Sequence, residues 1–281
     1  MKDLFDVIIL SLVQGATEFL PVSSSGHLVL FEQIFKFQPE GLDEHLINVV
    51  LHFGTMMATI LVFKEELMDI LKAIFSKRIL KIKSLKSIQE DNSLWLVLII
   101  LIGTIPTGLI GLFFRDQFKE LEGSILAVSL ALIITGLILF SIRFIKPPSK
   151  EDYKDITLWD SLIIGTVQGL AITPGISRSG ITISAGLWRN IRRDKIGHYS
   201  FLLSLPAIFG ATLLELGHVN LSQLKILPLL IGFIVSFITG YIALKWLLKF
   251  VNQGKLQYFS YYCWAIGLVS LVIYSLKSVN S

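Results

Sequence analysis

Two stretches of this chain carry nearly the same sequence: residues 14–27 read QGATEFLPVSSSGH, and residues 168–180 read QGLAITPGISRSG. Several residues are identical in the two stretches and are separated by the same number of positions along the chain. The pairs are Gln14 with Gln168, Gly15 with Gly169, Ser23 with Ser177, Ser25 with Ser179, and Gly26 with Gly180. Both copies interrupt long apolar segments. Polar segments broken by Gly and Pro at matching places in two halves indicate a binding site in an internally duplicated membrane protein.

The rest of the chain is very apolar. Of its 281 residues, 53% are hydrophobic and 16% are charged, whereas soluble domains average about 25% charged residues. Runs long and apolar enough to cross a bilayer lie at roughly 46–63, 94–114, 124–145, 200–217, 226–248 and 257–276. These runs predict an all-α polytopic membrane protein. The net charge of +4 is attributed to cytoplasmic loops, so no nucleic-acid partner is predicted.

The repeated motif breaks two further apolar stretches, near residues 4–35 and 158–188. Pro21 and Pro174 stop a helix in each stretch, and the glycines around them permit tight turns. We therefore predict that each stretch is a re-entrant helical hairpin, which enters the membrane and returns on the same side.

The basic residues set the predicted orientation. Most of the 25 Lys and Arg residues fall in the segments 64–93, 143–157, 188–199 and 245–255, and cytoplasmic loops are enriched in these residues. The chain is then one integral membrane domain over 1–281, with repeat one at about 1–145, repeat two at about 158–276 and a cytoplasmic loop at about 64–93. The two repeats are predicted to have inverted topology, each with one re-entrant hairpin and three transmembrane helices.

The first motif offers a carboxylate at membrane depth. Gln14 and Glu18 are four residues apart, so they share one face of a helix. An ionisable group inside a membrane is costly to bury and is a functional candidate by default. Glu18 is a candidate general base, or a group that holds a divalent cation or a hydrogen-bond donor. The alternative is a structural carboxylate that binds the backbone amides of the serine run.

The serine run that follows suits phosphate. Hydroxyls and exposed amides at the start of a helix bind anions. Ser24 or His27 is the candidate nucleophile on phosphorus, and His27 is also a candidate general acid or base. The alternatives are a serine run that only caps the helix and a histidine bonded within the core.

The second motif places one arginine, Arg178, between two hydroxyls. The planar guanidinium matches phosphate geometry and would neutralise charge on a transferring phosphoryl group. The alternative is an arginine that snorkels to the interface or pairs with a charge. Together the motifs predict phosphoryl transfer from a lipid substrate. The predicted substrate-binding residues are Gln14, Ser23, Ser25, Gly26, Ser177, Ser179 and Gly180.

These residues resemble the undecaprenyl-diphosphatase family of the bacitracin-resistance type. Its (E/Q)xxxE, PVSSxGH and PGxSRSG segments correspond to Gln14–Glu18, Pro21–His27 and Pro174–Gly180. The resemblance implies a multi-pass enzyme of the bacterial cell membrane that hydrolyses undecaprenyl diphosphate to undecaprenyl phosphate and inorganic phosphate. That reaction recycles the lipid carrier for peptidoglycan and other wall polymers and confers resistance to bacitracin.

The resemblance also implies roles for individual residues. Catalytic roles fall on Glu18, Ser24, His27 and Arg178. A divalent cation, Mg²⁺ or Ca²⁺, is implied, with Glu18 as a candidate ligand, and no organic cofactor is expected. Many members carry Glu where this chain has Gln14, so more of the acid–base or cation work is expected of Glu18. A homodimer is left open. The alternative function is a transporter or flippase of a polyprenyl phosphate lipid, which needs the anion site but no nucleophile.

Overall fold

The computed structural model describes residues 2–35, 42–76, 84–145, 148–219 and 225–279, together with Phe37 and Pro39. Within these residues the regular elements are helices and there is no β-strand, so the all-α prediction is confirmed. The helices are α1 (Lys2–Phe19), α2 (Ser24–Phe35), α3 (Glu44–Val62), α4 (Lys64–Phe75), α5 (Leu85–Gln89), α6 (Asn92–Phe113), α7 (Arg115–Glu122), α8 (Ile125–Ser141), α9 (Leu158–Leu170), α10 (Arg178–Trp188), α11 (Arg193–Leu216), α12 (Ile226–Asn252) and α13 (Phe259–Val279).

The described residues contain six helical segments with the length and composition of membrane spans. They are Glu44–Val62, Asn92–Phe113, Ile125–Phe144, Arg193–Leu216, Ile226–Asn252 and Leu256–Lys277. In order along the chain they match the predicted runs. Polar side chains start several of them: Asp43 accepts from the backbone N–H of Leu46 at 2.9 Å, and Ser124 accepts from that of Ala127 at 3.2 Å. Such caps satisfy amides that lack a partner within the helix.

Both motif-bearing stretches are helix pairs separated by a short turn. α1 ends at Phe19 and α2 begins at Ser24, while α9 ends at Leu170 and α10 begins at Arg178. The arms α2, α9 and α10 have 12, 13 and 11 residues. At about 1.5 Å per residue they are shorter than the hydrocarbon core of about 30 Å. The break that the motif predicts is confirmed, and the short arms agree with re-entrant hairpins.

The hairpin of each predicted repeat packs against a span of the other. α1 lies along α12, and its counterpart α9 lies along α6. Small residues allow both contacts: a Cβ added to Gly15 would lie 2.8 Å from the Ser236 carbonyl oxygen, and one added to Gly165 would lie 1.9 Å from the Gly103 carbonyl oxygen. Such small residues allow close packing between membrane helices. Each hairpin thus packs on a span of the other repeat, as a pseudo-twofold axis would require. The inverted topology of the repeats remains our prediction.

The predicted cytoplasmic loop at 64–93 contains helices. α4 follows the end of α3 after Phe63, and α4 packs against α6. Residues 77–83 of this segment, which carry Lys77, Arg78, Lys81 and Lys83, lie outside the described residues. The side of the membrane on which the segment lies stays a prediction.

Candidate active site

The turn of the first hairpin is built around Ser23. This residue has a positive φ of 68°, a conformation that costs energy for a residue with a side chain. Its Oγ accepts a hydrogen bond from the backbone N–H of Gly26 at 3.2 Å and lies 3.3 Å from Oγ of Ser25. Ser23 therefore caps α2 and orients Ser24, the first residue of that helix.

The turn of the second hairpin repeats this arrangement. Oγ of Ser177 accepts from the backbone N–H of Gly180 at 3.1 Å and lies 3.3 Å from Oγ of Ser179. Gly175 has a φ of 94°, and a Cβ there would lie 2.5 Å from the Val128 carbonyl oxygen. Only glycine fits such a position without strain and collision.

The structure brings the two turns into direct contact. The backbone N–H of Gly175 donates to Oγ of Ser23 at 3.0 Å, and Oγ of Ser179 donates to the carbonyl oxygen of Phe19 at 2.8 Å. A Cβ on Gly26 would lie 2.9 Å from Cα of Gly175. Ser23, Gly26 and Ser179, three of the residues predicted to bind substrate, thus lie at the junction between the hairpins.

Four predicted site residues meet around one carboxylate, and we call them the Glu18 cluster: Gln14, Glu18, Ser24 and Arg178. Nη2 of Arg178 donates to Oε1 of Glu18 at 2.6 Å. Oε2 of Glu18 accepts from Oγ of Ser24 at 2.8 Å and from Nε2 of Gln14 at 3.0 Å. The Glu18 and Arg178 side chains are only 8% and 15% exposed.

Two atoms of the cluster are buried without a hydrogen-bond partner among the described residues. They are the donor Nη1 of Arg178 and the acceptor Oε1 of Gln14. A buried polar group without a partner is costly. The cluster can therefore accept one more hydrogen bond at Gln14 and donate one more at Arg178.

The same atoms indicate whether the Glu18 cluster suits the divalent cation that the resemblance implies. Mg²⁺ keeps several waters and needs only one or two protein ligands beside substrate phosphates. The unpartnered Oε1 of Gln14 and the carboxylate of Glu18 are oxygen ligands of that kind, so the residues fit a cation shared with a diphosphate. Among the described residues there is no group of three or more His, Cys, Asp or Glu side chains that could hold a metal by themselves.

His27 lies beside this cluster with both ring nitrogens engaged. Nδ1 is 2.8 Å from the carbonyl oxygen of Ser23, and Nε2 is 2.8 Å from Oη of Tyr262. The two rings stack with an interplanar angle of 8°. Tyr262 is not among the site residues predicted from the sequence. An aromatic residue in an apolar span gives no signal of a partner so distant in the chain.

Residues of the spans α8 and α13 form hydrogen bonds and contacts with the two turns. Oγ1 of Thr135, on α8, donates to the carbonyl oxygen of Gly175 at 2.8 Å and accepts from the backbone N–H of Ser177 at 3.1 Å. On α13, Sγ of Cys263 is 3.5 Å from the carbonyl oxygen of Pro21. Cys263 thus contacts the first turn.

A buried carboxylate fixes the far end of the second hairpin. Asp160, in the first turn of α9, binds Lys150 and accepts from Nε of Arg189 at 2.7 Å, and its side chain is fully buried. Burial by itself raises the pKa of Asp160, but the hydrogen bonds from Lys150, Arg189 and Thr157 outweigh it and hold the pKa below its usual value. The ion pairs tie α9 to the end of α10.

Comparison with known proteins identifies the family of this chain. The family described as Bacitracin resistance protein BacA matches residues 7–269. The chain belongs to the BacA family. It is 41% identical over 274 residues to an undecaprenyl-diphosphatase of Halothermothrix orenii, covering 96% of this chain and 98% of the relative. It is 40% identical over 276 residues to an undecaprenyl-diphosphatase of Carboxydothermus hydrogenoformans, covering 96% and 97%. The resemblance seen in the sequence is confirmed.

The matched residues, 7–269, include most of the first hairpin, all of the second hairpin, the first five candidate spans and most of the sixth. The matched region therefore includes the Glu18 cluster and both serine turns. This chain is a multi-pass membrane protein of the BacA family.

Proposed function

We propose that this chain hydrolyses undecaprenyl diphosphate to undecaprenyl phosphate and inorganic phosphate in the bacterial cell membrane. The relatives from Halothermothrix orenii and Carboxydothermus hydrogenoformans are named undecaprenyl-diphosphatase, which supports this substrate. The observation that carries the chemistry is the hydrogen bond from Oγ of Ser24 to Oε2 of Glu18, 2.8 Å long. It lies beside Arg178, which has a buried donor without a partner among the described residues. A hydroxyl bonded to a carboxylate is the arrangement of an activated nucleophile. This reaction would recycle the carrier for peptidoglycan and other wall polymers and confer bacitracin resistance.

Arg178 is the residue that recognises the terminal phosphate. Nη1 is buried and has no partner among the described residues, so it is the donor that would bind a phosphate oxygen. If a phosphate oxygen also accepted a hydrogen bond from Nη2 of Arg178, Nη2 would no longer bind Oε1 of Glu18, and the ion pair would break. Substrate binding would thereby free the carboxylate to accept a proton, while the guanidinium stabilises the charge on phosphorus.

The first chemical step joins Ser24 to the phosphoryl group. Oγ of Ser24 attacks the terminal phosphorus, and its proton passes to Oε2 of Glu18. The bond between phosphorus and the bridging oxygen breaks, and its electron pair leaves with undecaprenyl phosphate. In the second step water attacks the phosphorus, and the bond between phosphorus and Oγ of Ser24 breaks. Glu18 returns its proton to Oγ of Ser24, and phosphate departs with the protons of the water. Direct attack by a water activated by Glu18 is the alternative route.

A cation would bind beside these groups. Oε1 of Gln14 and Glu18 would hold Mg²⁺ or Ca²⁺ together with diphosphate oxygens, and a bound cation would supply further charge neutralisation. Gln14 cannot exchange a proton, so proton transfer falls to Glu18. The lipid tail would lie along the apolar faces of the hairpins and spans.

The test is release of phosphate from an isoprenyl diphosphate by purified protein in detergent, with Mg²⁺, Ca²⁺ or EDTA. We expect release by the wild type and loss in Arg178→Ala and Ser24→Ala. Arg143→Ala and Ser129→Ala are matched controls, because Arg143 is exposed and Ser129 bonds only a carbonyl of its own helix. A wild-type protein that releases no phosphate in any arm would overturn the proposal and favour transport of a lipid phosphate, testable by flipping in vesicles.

A further inference from the structure

The hydrogen bonds of His27 define which ring nitrogen carries the proton. A carbonyl oxygen only accepts hydrogen bonds, so the contact of Nδ1 with the Ser23 carbonyl oxygen, 2.8 Å long, requires a proton on Nδ1. In the neutral ring Nε2 is then an acceptor, and the hydroxyl of Tyr262 donates to it at 2.8 Å. Neither nitrogen is in hydrogen-bond contact with a member of the Glu18 cluster.

The acceptor of the Nδ1 bond belongs to the strained residue of the turn. Ser23 has a φ of 68°, and such strain persists only where the surroundings hold it in place. Its carbonyl oxygen accepts from both the ring and the backbone N–H of His27, at 2.8 and 3.2 Å. The carbonyl belongs to the peptide group that links Ser23 to Ser24. The ring therefore fixes the peptide that carries the proposed nucleophile.

Tyr262 completes this support from the last helix. Its ring stacks on that of His27, with centroids 5.6 Å apart. The next residue, Cys263, contacts the carbonyl oxygen of Pro21 in the same turn. Two consecutive residues of α13 thus hold the turn, one directly and one through His27.

We propose that His27 is a positioning residue that holds the Ser23–Ser24 peptide through Nδ1, and that Tyr262 is a second positioning residue that fixes the tautomer of His27. The inference rests on the proposed function, in which Ser24 attacks phosphorus. His27 is then neither the nucleophile nor the general base, and it acts on the reaction only through Ser24.

Substitution of His27 by Asn or Gln distinguishes a positioning role from a role in general acid–base catalysis. The Asn side chain can place an N–H near the position of Nδ1, whereas the longer Gln side chain reaches toward Nε2. If His27 only positions, His27→Asn keeps kcat within about tenfold of wild type, the size of one hydrogen bond, and the pH profile of kcat is unchanged. In His27→Ala and His27→Gln, kcat is expected to fall further than in His27→Asn. The inference would be overturned if kcat fell equally, by about 10²–10⁴-fold, in all three variants and the pH profile of kcat lost one limb. A loss of that size is typical of the removal of a general acid or base.

Tyr262→Phe tests the second residue, because it keeps the ring and removes only the hydroxyl. We expect kcat to fall about three- to tenfold with KM unchanged. Tyr261→Phe is the control, since the Tyr261 ring contacts Trp264 rather than the turn. An unchanged kcat in Tyr262→Phe contradicts the role of Tyr262.

Nitrogen-15 NMR of the His27 ring at pH 8 gives a readout independent of activity. The wild type is expected to show the proton on Nδ1, with Nε2 shifted as a hydrogen-bond acceptor, and Tyr262→Phe is expected to lose that shift. A proton on Nε2 in the wild type would overturn the inference even if no position-27 variant folds. Inactive wild-type protein would refute the proposed function, whereas active wild type with an inactive, folded His27→Asn would refute only this inference.

Discussion

The backbone N–H of Gly175 donates a hydrogen bond to Oγ of Ser23, 3.0 Å long, across 152 positions of the chain. The same Oγ accepts from the N–H of Gly26, which caps α2. One hydroxyl therefore serves the local turn and the contact between the two hairpins. The geometry of Ser24 and Arg178, which begin the helices after these turns, depends on this junction.

Replacement of Ser23 by Ala should destabilise the protein as well as lower its activity. Ala leaves the buried N–H groups of Gly26 and Gly175 without their acceptor, and each such group costs about 1–3 kcal/mol. Thermal unfolding in detergent measures the loss. Ser129→Ala is the control, because its hydroxyl donates only to the Ile125 carbonyl oxygen within α8. Equal unfolding temperatures for the two variants would contradict the role of Ser23.

Gly175→Ala should prevent the second hairpin from reaching the first. The new Cβ would stand at a φ of 94° and lie 2.5 Å from the Val128 carbonyl oxygen and 2.7 Å from Cβ of Ala131. We expect little folded protein and no phosphate release, measured by gel filtration and by the hydrolysis assay. Gly108→Ala and Gly210→Ala are matched controls, since among the described residues no atom beyond the local helix backbone and the neighbouring residues lies within 4 Å of a Cβ added at either position. A well-folded, active Gly175→Ala protein would refute this account of the turn.

The spans and the breaks could be predicted from sequence because each rests on a local property. Length and apolarity define a membrane span, and Pro21 and Pro174 lie in the turns where the two apolar stretches break. The repeated serines suggested that the two motifs form one site. The structure places Ser23 and Gly175 in contact, and the Glu18–Arg178 ion pair joins the same motifs.

Contacts that depend on side-chain direction could not be predicted in this way. Tyr262 lies among several aromatic residues of α13, and only the packing of that helix beside the first hairpin brings its hydroxyl to His27. Asp160 and Thr157 form a capping box at the start of α9, but the other partners of Asp160, Lys150 and Arg189, come from segments that meet only in the fold. Helix α4 was missed because its charged residues made the segment look like a loop.

Glu18→Gln should remove proton transfer while it preserves the shape of the site. The amide oxygen can still accept from Arg178 or Ser24, but the group no longer takes the proton of the attacking hydroxyl. We expect kcat to fall about 10²–10⁴-fold. KM should be unchanged or lower, because Arg178 no longer shares its charge with a carboxylate. Steady-state kinetics check both values against Glu65→Gln, an exposed control on α4. A kcat within a few fold of wild type would exclude Glu18 as the base.

Asp160→Asn should destabilise the second hairpin without touching the Glu18 cluster. The variant leaves Lys150 and Arg189 without their carboxylate, and removal of one partner from a buried pair costs about 3–5 kcal/mol. Because the Arg189 side chain is 44% exposed, we expect the lower end of this range. Asp69→Asn is the control, since Asp69 and Lys72 are 65% and 71% exposed and such pairs contribute about 0–1 kcal/mol.

The same carboxylate predicts a pH dependence of stability. Its pKa is lowered in the folded state, so the stabilisation is fully present above the unfolded value of about 3.9 and is lost as pH falls through the lower folded value. Unfolding temperatures measured from about pH 6 down to about pH 3 should therefore fall more steeply for wild type than for Asp160→Asn. Parallel curves would mean that Asp160 carries no such linkage.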